Sequence, residues 1–193
     1  MSIKNHNVAF SWFGVLGVAV FLICWVAATV ADPSWEFATN TLSEFGISDT
    51  DAAYFFNYGC CILTGALLAI FGVGNVLTAK NNGYLVGGLL LIVGSAFLAL
   101  VGIVTMNYGN GDPHDVIATS MAAILVFSVA AFAIGNWNAD RKIVAGTSMV
   151  IVIIIICMAI EYSAAELEAY GIILMFAWII IECMRMITTK RKG

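Results

Sequence analysis

His114 is the residue of this chain whose type and neighbours most readily suggest chemistry. It follows Asp112-Pro113 and precedes Asp115, so an imidazole lies between two carboxylates. Neutral imidazole is a common metal ligand, and carboxylate oxygens complete such sites or help to activate water. Binding of a divalent metal by His114, Asp115 and Asp112 is therefore one interpretation. A helix-capping role and metal-free recognition of a polar headgroup are the two others, because no second His or Cys pair accompanies His114.

Other polar side chains border apolar stretches of the chain. Asn57 lies one to two turns inside such a stretch and Glu161 lies at the end of another, where an unsatisfied polar group is costly. We expect both to point into a polar pocket with partners on neighbouring helices. The candidate ligand-binding residues are Asn40, Ser43, Glu44, Asn57, His114, Asp115 and Glu161. The sequence requires no cofactor.

The charged residues divide the chain into alternating segments. All eight basic residues lie in segments that alternate with segments containing none. Ten of the twelve acids occupy the segments without basic residues, namely Asp32, Glu36, Glu44, Asp49, Asp51, Asp112, Asp115, Glu161, Glu166 and Glu168. Because short loops rich in Lys and Arg remain in the cytoplasm, this pattern predicts that both termini are cytoplasmic and that the acidic loops are outside.

Six apolar stretches separate the charged segments, and each is long enough to cross a bilayer core of about 30 Å as a helix. They are residues 8–31, 52–78, 84–106, 115–137, 143–162 and 170–187. A chain of 193 residues that is 62% hydrophobic has no room for a soluble domain beside six such spans. We therefore predict an all-α, six-helix bundle that forms one domain over residues 1–193, in the plasma membrane with N-in/C-in topology.

The longest predicted outer loop carries a helix signature. Asp32-Pro33 resembles an N-cap followed by a favoured first helical residue, and Trp35, Leu42 and Phe45 follow at helical spacing until Gly46. This pattern predicts a short amphipathic helix at the membrane interface.

Several motifs resemble a known family. They are Asn40-Thr41-Leu42-Ser43-Glu44-Phe45-Gly46, Phe55-Phe56-Asn57-Tyr58-Gly59, Val101-Gly102-Ile103 and Gly111-Asp112-Pro113-His114-Asp115. Together they resemble an uncharacterised six-span membrane family of archaea and bacteria, domain of unknown function 998, and more distantly the Frag1/DRAM/Sfk1 group, which is linked to lipid handling. The resemblance implies that Asn40, Ser43, Glu44, Gly46, Asn57, Gly59, His114 and Asp115 are the family's marked positions. It implies no established activity.

Three functions fit these observations. The first is recognition of a lipid headgroup or another small amphiphile in an outward-facing polar pocket. The second is a metal-dependent, membrane-embedded hydrolase that acts on lipid. The third is a structural or assembly subunit of a membrane complex. The expected partners are membrane lipids. A second copy of the chain, in a homo-oligomer, or a subunit of a membrane complex is a further expected partner. The sequence carries no nucleic-acid-binding patch, so nucleic acid is not an expected partner.

Overall fold

The computed structural model describes residues 3–188, and within this range the chain is helical without β-strands. Six helices in it are long and apolar enough to cross a membrane. They are α1 Ile3–Ala31, α2 Ala52–Leu77, α3 Asn82–Ile103, α4 Asp112–Asn138, α5 Lys142–Glu161 and α6 Ala164–Thr188. The predicted six-helix bundle is confirmed, and the protein is a multi-pass integral membrane protein.

Each long helix packs against the next one in the chain, and α6 closes the bundle by packing on α1 and α5. Small residues allow the closest approach between α2 and α3. A Cβ atom added to Gly72 would lie 3.2 Å from the Gly88 carbonyl oxygen, and one added to Gly88 would lie 3.2 Å from the Gly72 oxygen. The two glycines thus bring the helix backbones together, as expected when packing rather than a hydrophobic driving force joins membrane helices.

Short connections place the helices antiparallel, so the bundle has two chemically different ends. Residues 32–51, 104–111 and 162–163 connect helices at one end, which we call the acidic end. Residues 78–81 and 139–141 connect them at the other, which we call the basic end because Lys80 and Arg141 lie there. All but two of the acids in the sequence lie in or beside the acidic-end connections.

The first acidic-end connection contains a short helix, but a smaller one than the spacing of its apolar residues suggested. Only Leu42–Ile47 is helical, and it is a 3-10 helix. Residues 33–41 form turns instead, with Ala38 in the left-handed region at φ 60°. A side-chain hydrogen bond competes with the helix in this stretch. Trp35 Nε1 donates to the Thr41 carbonyl at 2.8 Å, which requires the chain to fold back on itself.

Residues 32–48, which we call the cap segment, are tied at their two ends. Asp32 accepts hydrogen bonds from the Ser34 backbone N–H at 3.2 Å and from the Ser48 hydroxyl at 2.7 Å. Hydrogen bonds from the Ser34 and Ser48 side chains lower the pKa of Asp32 below its usual value. Trp35 and Phe45 are buried against the bundle with ring centroids 4.5 Å apart, whereas Phe37 is 46% exposed. The cap segment is therefore packed on the bundle.

The second span contains a π-helix over Phe55–Leu63, which its apolar pattern did not predict. The Thr64 hydroxyl at its end donates to the Gly59 carbonyl five residues earlier at 3.0 Å. Asn57 lies within this segment. π-helical turns are rare and are frequently found at functional sites.

Several helix ends differ from their predicted positions, and two of these differences shape the acidic end. Helix α3 ends at Ile103 rather than 106, and the following connection turns sharply through Gly109, Asn110 and Gly111, all at positive φ. Helix α6 begins at Ala164 rather than 170. Ser163 and Glu166 cap it reciprocally: the Ser163 N–H donates to the Glu166 carboxylate at 3.0 Å, and the Glu166 N–H donates to the Ser163 hydroxyl at 3.3 Å.

Candidate functional site at the acidic end

Glu168 attaches the cap segment to α6. Its Oε2 atom accepts a hydrogen bond from the Leu42 N–H at 2.7 Å and another from the Ser43 N–H at 3.4 Å. These N–H groups begin the 3-10 helix and have no partner within it, so a carboxylate is the favourable acceptor for them. The early start of α6 makes this contact, since it carries Glu168 up to the level of the cap segment.

Asn57 holds the other end of the same short helix. Its Nδ2 atom donates to the Gly46 carbonyl at 3.0 Å. A carbonyl oxygen only accepts, so this contact fixes which way the amide faces. The Oδ1 atom of the same amide is also buried near Gly46 and has no hydrogen-bond partner.

His114 is buried at the start of α4, with 3% of its surface exposed. Asp112 and Pro113 open this helix, which places His114 in the first turn. Its Nδ1 atom lies 2.6 Å from the Val104 carbonyl oxygen. The Nε2 atom on the other side of the ring is buried without a partner. His114 therefore joins α4 to the end of α3 and leaves one ring nitrogen unsatisfied.

Asn57 and His114 both lie against the end of α3. A Cβ atom added to Gly102 would lie 2.5 Å from the Asn57 carbonyl oxygen and 2.7 Å from Cys61 Cβ, so the π-helix touches α3 there. Val104, two residues later, is the residue that His114 contacts. Glu168 of α6 lies within electrostatic range of both Cys61 and His114. We call Asn57, His114 and Glu168 the acidic-end site.

The remaining candidates from the sequence have other surroundings. Ser43 is buried in the short helix. Glu44 closes a capping box by accepting from the Thr41 N–H at 2.8 Å, and it also accepts from Asn40 Nδ2 at 2.6 Å. Glu161 is exposed as the last residue of α5. Asn40 and Glu44 therefore shape the cap segment.

The two aspartates beside His114 do not share its environment. Asp112 and Asp115 are exposed, and Asp115 borders a shallow groove of about 330 Å³ on the surface of α4. Successive residues of a helix point roughly 100° apart, which separates Asp115 from a buried His114. Over residues 3–188, no three His, Cys, Asp or Glu side chains come together in a way that could hold a metal ion. Among these residues, His114, Asp112 and Asp115 therefore do not form the metal site that was one of the three interpretations of the sequence.

Sequence reasoning missed Glu168 as a site residue. The signal was present in Ser163-Ala164-Ala165-Glu166, a capping-box pattern that marks a helix start and makes Glu168 helical. Its partners, Leu42 and Ser43, are 126 and 125 residues away in the chain, so no local pattern indicated the contact.

A second polar cluster lies near the basic end. Glu182 and Arg185 on α6 form an ion pair there. This ion pair has hydrogen-bond partners on two other helices. Asn136 Nδ2 donates to Glu182 Oε1 at 2.7 Å, and Arg185 donates to Asn75 Oδ1 at 2.6 Å. The Tyr84 hydroxyl donates to Asn136 Oδ1 at 2.9 Å. This cluster joins α2, α3, α4 and α6.

Comparison with known proteins agrees with the family resemblance of the sequence motifs. A family described as "Protein of unknown function (DUF998)" matches residues 15–185. The chain belongs to this family. The matched region of DUF998 spans the cap segment, the acidic-end site and the basic-end cluster. No curated protein and no solved structure matches the chain.

Proposed function

We propose that this protein binds the headgroup of a membrane lipid, or of another small amphiphile, at the acidic-end site. Asn57, His114 and Glu168 would contact the polar group beneath the cap segment. The aliphatic part would lie along the apolar helix surfaces. The proposal names a binding protein in the plasma membrane and assigns it no catalytic step.

The observation that carries the proposal is the pair of buried, unpartnered polar atoms, Asn57 Oδ1 and His114 Nε2. Leaving a buried polar atom unpaired costs about 1–3 kcal/mol, and most such atoms in folded proteins have partners. Two of them on side chains that meet the same end of α3 are therefore a place where a ligand would gain hydrogen bonds.

The surroundings favour a lipid over a soluble ligand. The site lies where the helices end, which is the level of the headgroups if the spans cross the bilayer. Aromatic rings surround this level: Trp25 and Phe37 are stacked with centroids 6.1 Å apart, and Phe37 meets Tyr170 at 5.5 Å. Aromatic side chains are enriched at the boundary between membrane and water.

The distribution of charge supports the orientation that the proposal needs. Lys80, Arg141 and Lys142 lie at the basic end, and the connections at the acidic end contain no Lys or Arg. Retention of basic loops in the cytoplasm would place both termini inside and the acidic-end site outside. The bound headgroup would then belong to the outer leaflet.

Lipid retention tests the proposal. The protein is purified in mild detergent, and the lipid that remains bound is measured by native mass spectrometry. We expect the unmodified protein to retain lipid and His114→Ala to lose most of it. Asp49→Ala, which changes an exposed acid at the same end, is the matched control. Equal retention by the His114 variant and the unmodified protein would contradict the proposal.

A further inference from the structure

The fixed orientations of Asn57 and His114 determine which hydrogen-bonding groups the site offers. The Asn57 amide gives its N–H to the Gly46 carbonyl, so its free atom is an acceptor oxygen. The His114 ring faces the Val104 carbonyl with Nδ1, so Nδ1 carries the proton. In the neutral ring, Nε2 then offers a lone pair. Asn57 Oδ1 is therefore an acceptor without a donor, and so is His114 Nε2 when the ring is neutral.

The charges around these atoms also favour a positively charged ligand. Glu168 lies within electrostatic range of His114 and of Glu44, so two acidic side chains lie near this part of the bundle. The sequence has no Lys or Arg in residues 5–79, 81–140 or 143–184, which include every connection at the acidic end. A phosphate group would meet acceptors and negative charge here, whereas a cation that carries N–H donors would meet its complement.

We infer that the acidic-end site binds the primary ammonium group of its ligand. A primary ammonium has three N–H donors. The site offers three kinds of acceptor to match them: Asn57 Oδ1, His114 Nε2 and the Glu168 carboxylate. The inference rests on the proposed function, because it assigns the part of an amphiphile that the acidic-end site recognises.

The cap segment is held by two of the residues that offer these acceptors. Asn57 Oδ1 and His114 Nε2 are buried, so a ligand reaches them only when neighbouring groups move. The attachments of its short helix are made by the same residues: Glu168 holds the Leu42 and Ser43 N–H groups, and Asn57 holds the Gly46 carbonyl. An ammonium group that engages Glu168 and Asn57 therefore acts on the contacts that hold the cap segment down.

Three phospholipids with identical acyl chains separate the relevant chemistries. Phosphatidylethanolamine carries a cation with three N–H donors. Phosphatidylcholine carries the cation without N–H donors, and phosphatidylglycerol carries hydroxyl donors without a cation. The full-length protein is incubated with equal amounts of the three in detergent micelles, and bound lipid is measured by native mass spectrometry. We expect phosphatidylethanolamine to be retained about tenfold more than either of the others, since hydrogen bonds to charged groups are worth that much.

Glu168→Gln tests the residue assignment without removing the cap attachment. Glutamine keeps a carbonyl oxygen for the Leu42 and Ser43 N–H groups but loses the charge. We expect this variant to lose the preference for phosphatidylethanolamine by about tenfold. Asp49→Asn removes an exposed negative charge at the same end and should leave the preference unchanged.

Free ethanolamine identifies the source of the ammonium group. Competition by millimolar ethanolamine would assign a soluble amine as a ligand, and absence of competition would assign the lipid; both agree with ammonium recognition.

Equal retention of phosphatidylcholine or phosphatidylglycerol would overturn the inference while leaving headgroup binding intact. Lipid retention that does not depend on His114 would overturn the proposed function instead. Stoichiometric Ca²⁺ or Mg²⁺ held through Glu168, without ammonium binding, would overturn the inference in favour of a metal.

Discussion

Glu182 and Arg185 form an ion pair inside the bundle, one turn apart on α6, with Glu182 fully buried and Arg185 9% exposed. The pair has polar partners on neighbouring helices, and the Arg185 guanidinium lies 4.3 Å from the centre of the Tyr84 ring. A buried charge is costly unless it is paired and hydrogen-bonded, and this cluster supplies both conditions. The basic end is therefore joined by polar contacts, whereas the acidic-end site leaves two polar atoms unpaired.

Glu182→Leu should destabilise the bundle strongly, because it leaves the Arg185 guanidinium buried without its carboxylate. Removal of one partner from a buried pair typically costs about 3–5 kcal/mol. The measurement is the free energy of unfolding in detergent with increasing denaturant. The double variant Glu182→Leu/Arg185→Leu should recover part of this loss, since it removes both charges. A single variant as stable as the unmodified protein would contradict a role of the pair in stability.

Asn136→Ala should cost about 1–3 kcal/mol, because it removes the buried hydrogen bonds of Asn136 with the Tyr84 hydroxyl and with Glu182 Oε1. Asn136 is fully buried, whereas Asn138, two residues later on the same helix, is exposed. Asn138→Ala is therefore the matched control and should change stability little. Thermal unfolding followed by circular dichroism measures both. An equal shift for the two variants would show that the hydrogen bonds of Asn136 contribute nothing specific.

The six-helix fold was predictable because its determinants are local. Long apolar stretches, short connections and Asp112-Pro113 at the start of α4 are each read within a few residues. The details that failed depend on side-chain contacts outside the pattern. The hydrogen bond from Trp35 to Thr41 replaces a predicted helix with turns. The π-helix at Phe55–Leu63 has no distinctive spacing of apolar residues that would have indicated it.

The candidate site was predictable only in part. Asn57 stood out because a polar group inside an apolar span is costly, and His114 stood out because of its type and its acidic neighbours. Glu168 looked like one of several acids in an outer loop, and no local pattern singled out Asn75 or Asn136. Their roles come from partners on other helices, such as the contact between Asn75 and Arg185, which are 110 residues apart. Pairing over such distances is a property of the fold.

Cysteine labelling tests the orientation of the bundle. In a variant whose five cysteines have been replaced, Tyr108→Cys at the acidic end should react with a membrane-impermeant maleimide added to intact cells. Ala139→Cys at the basic end should react only after the membrane is permeabilised. The reason is that basic connections remain in the cytoplasm. The reverse pattern of labelling would place the acidic end inside and would remove the outer leaflet from the proposed function.

Gly46→Ala tests the coupling between the cap segment and the acidic-end site. A Cβ atom at Gly46 would lie 2.7 Å from Asn57 Oδ1, so either the cap segment or Asn57 has to shift. Overpacking of this kind typically costs about 1–3 kcal/mol. We expect a lower unfolding temperature, faster proteolysis within residues 32–48 and weaker lipid retention. Gly146→Ala on α5 is the control, because its added Cβ meets no atom within 4 Å and alanine favours a helix over glycine. A Gly46 variant that is destabilised but retains lipid normally would show that the cap segment stabilises the fold without taking part in binding.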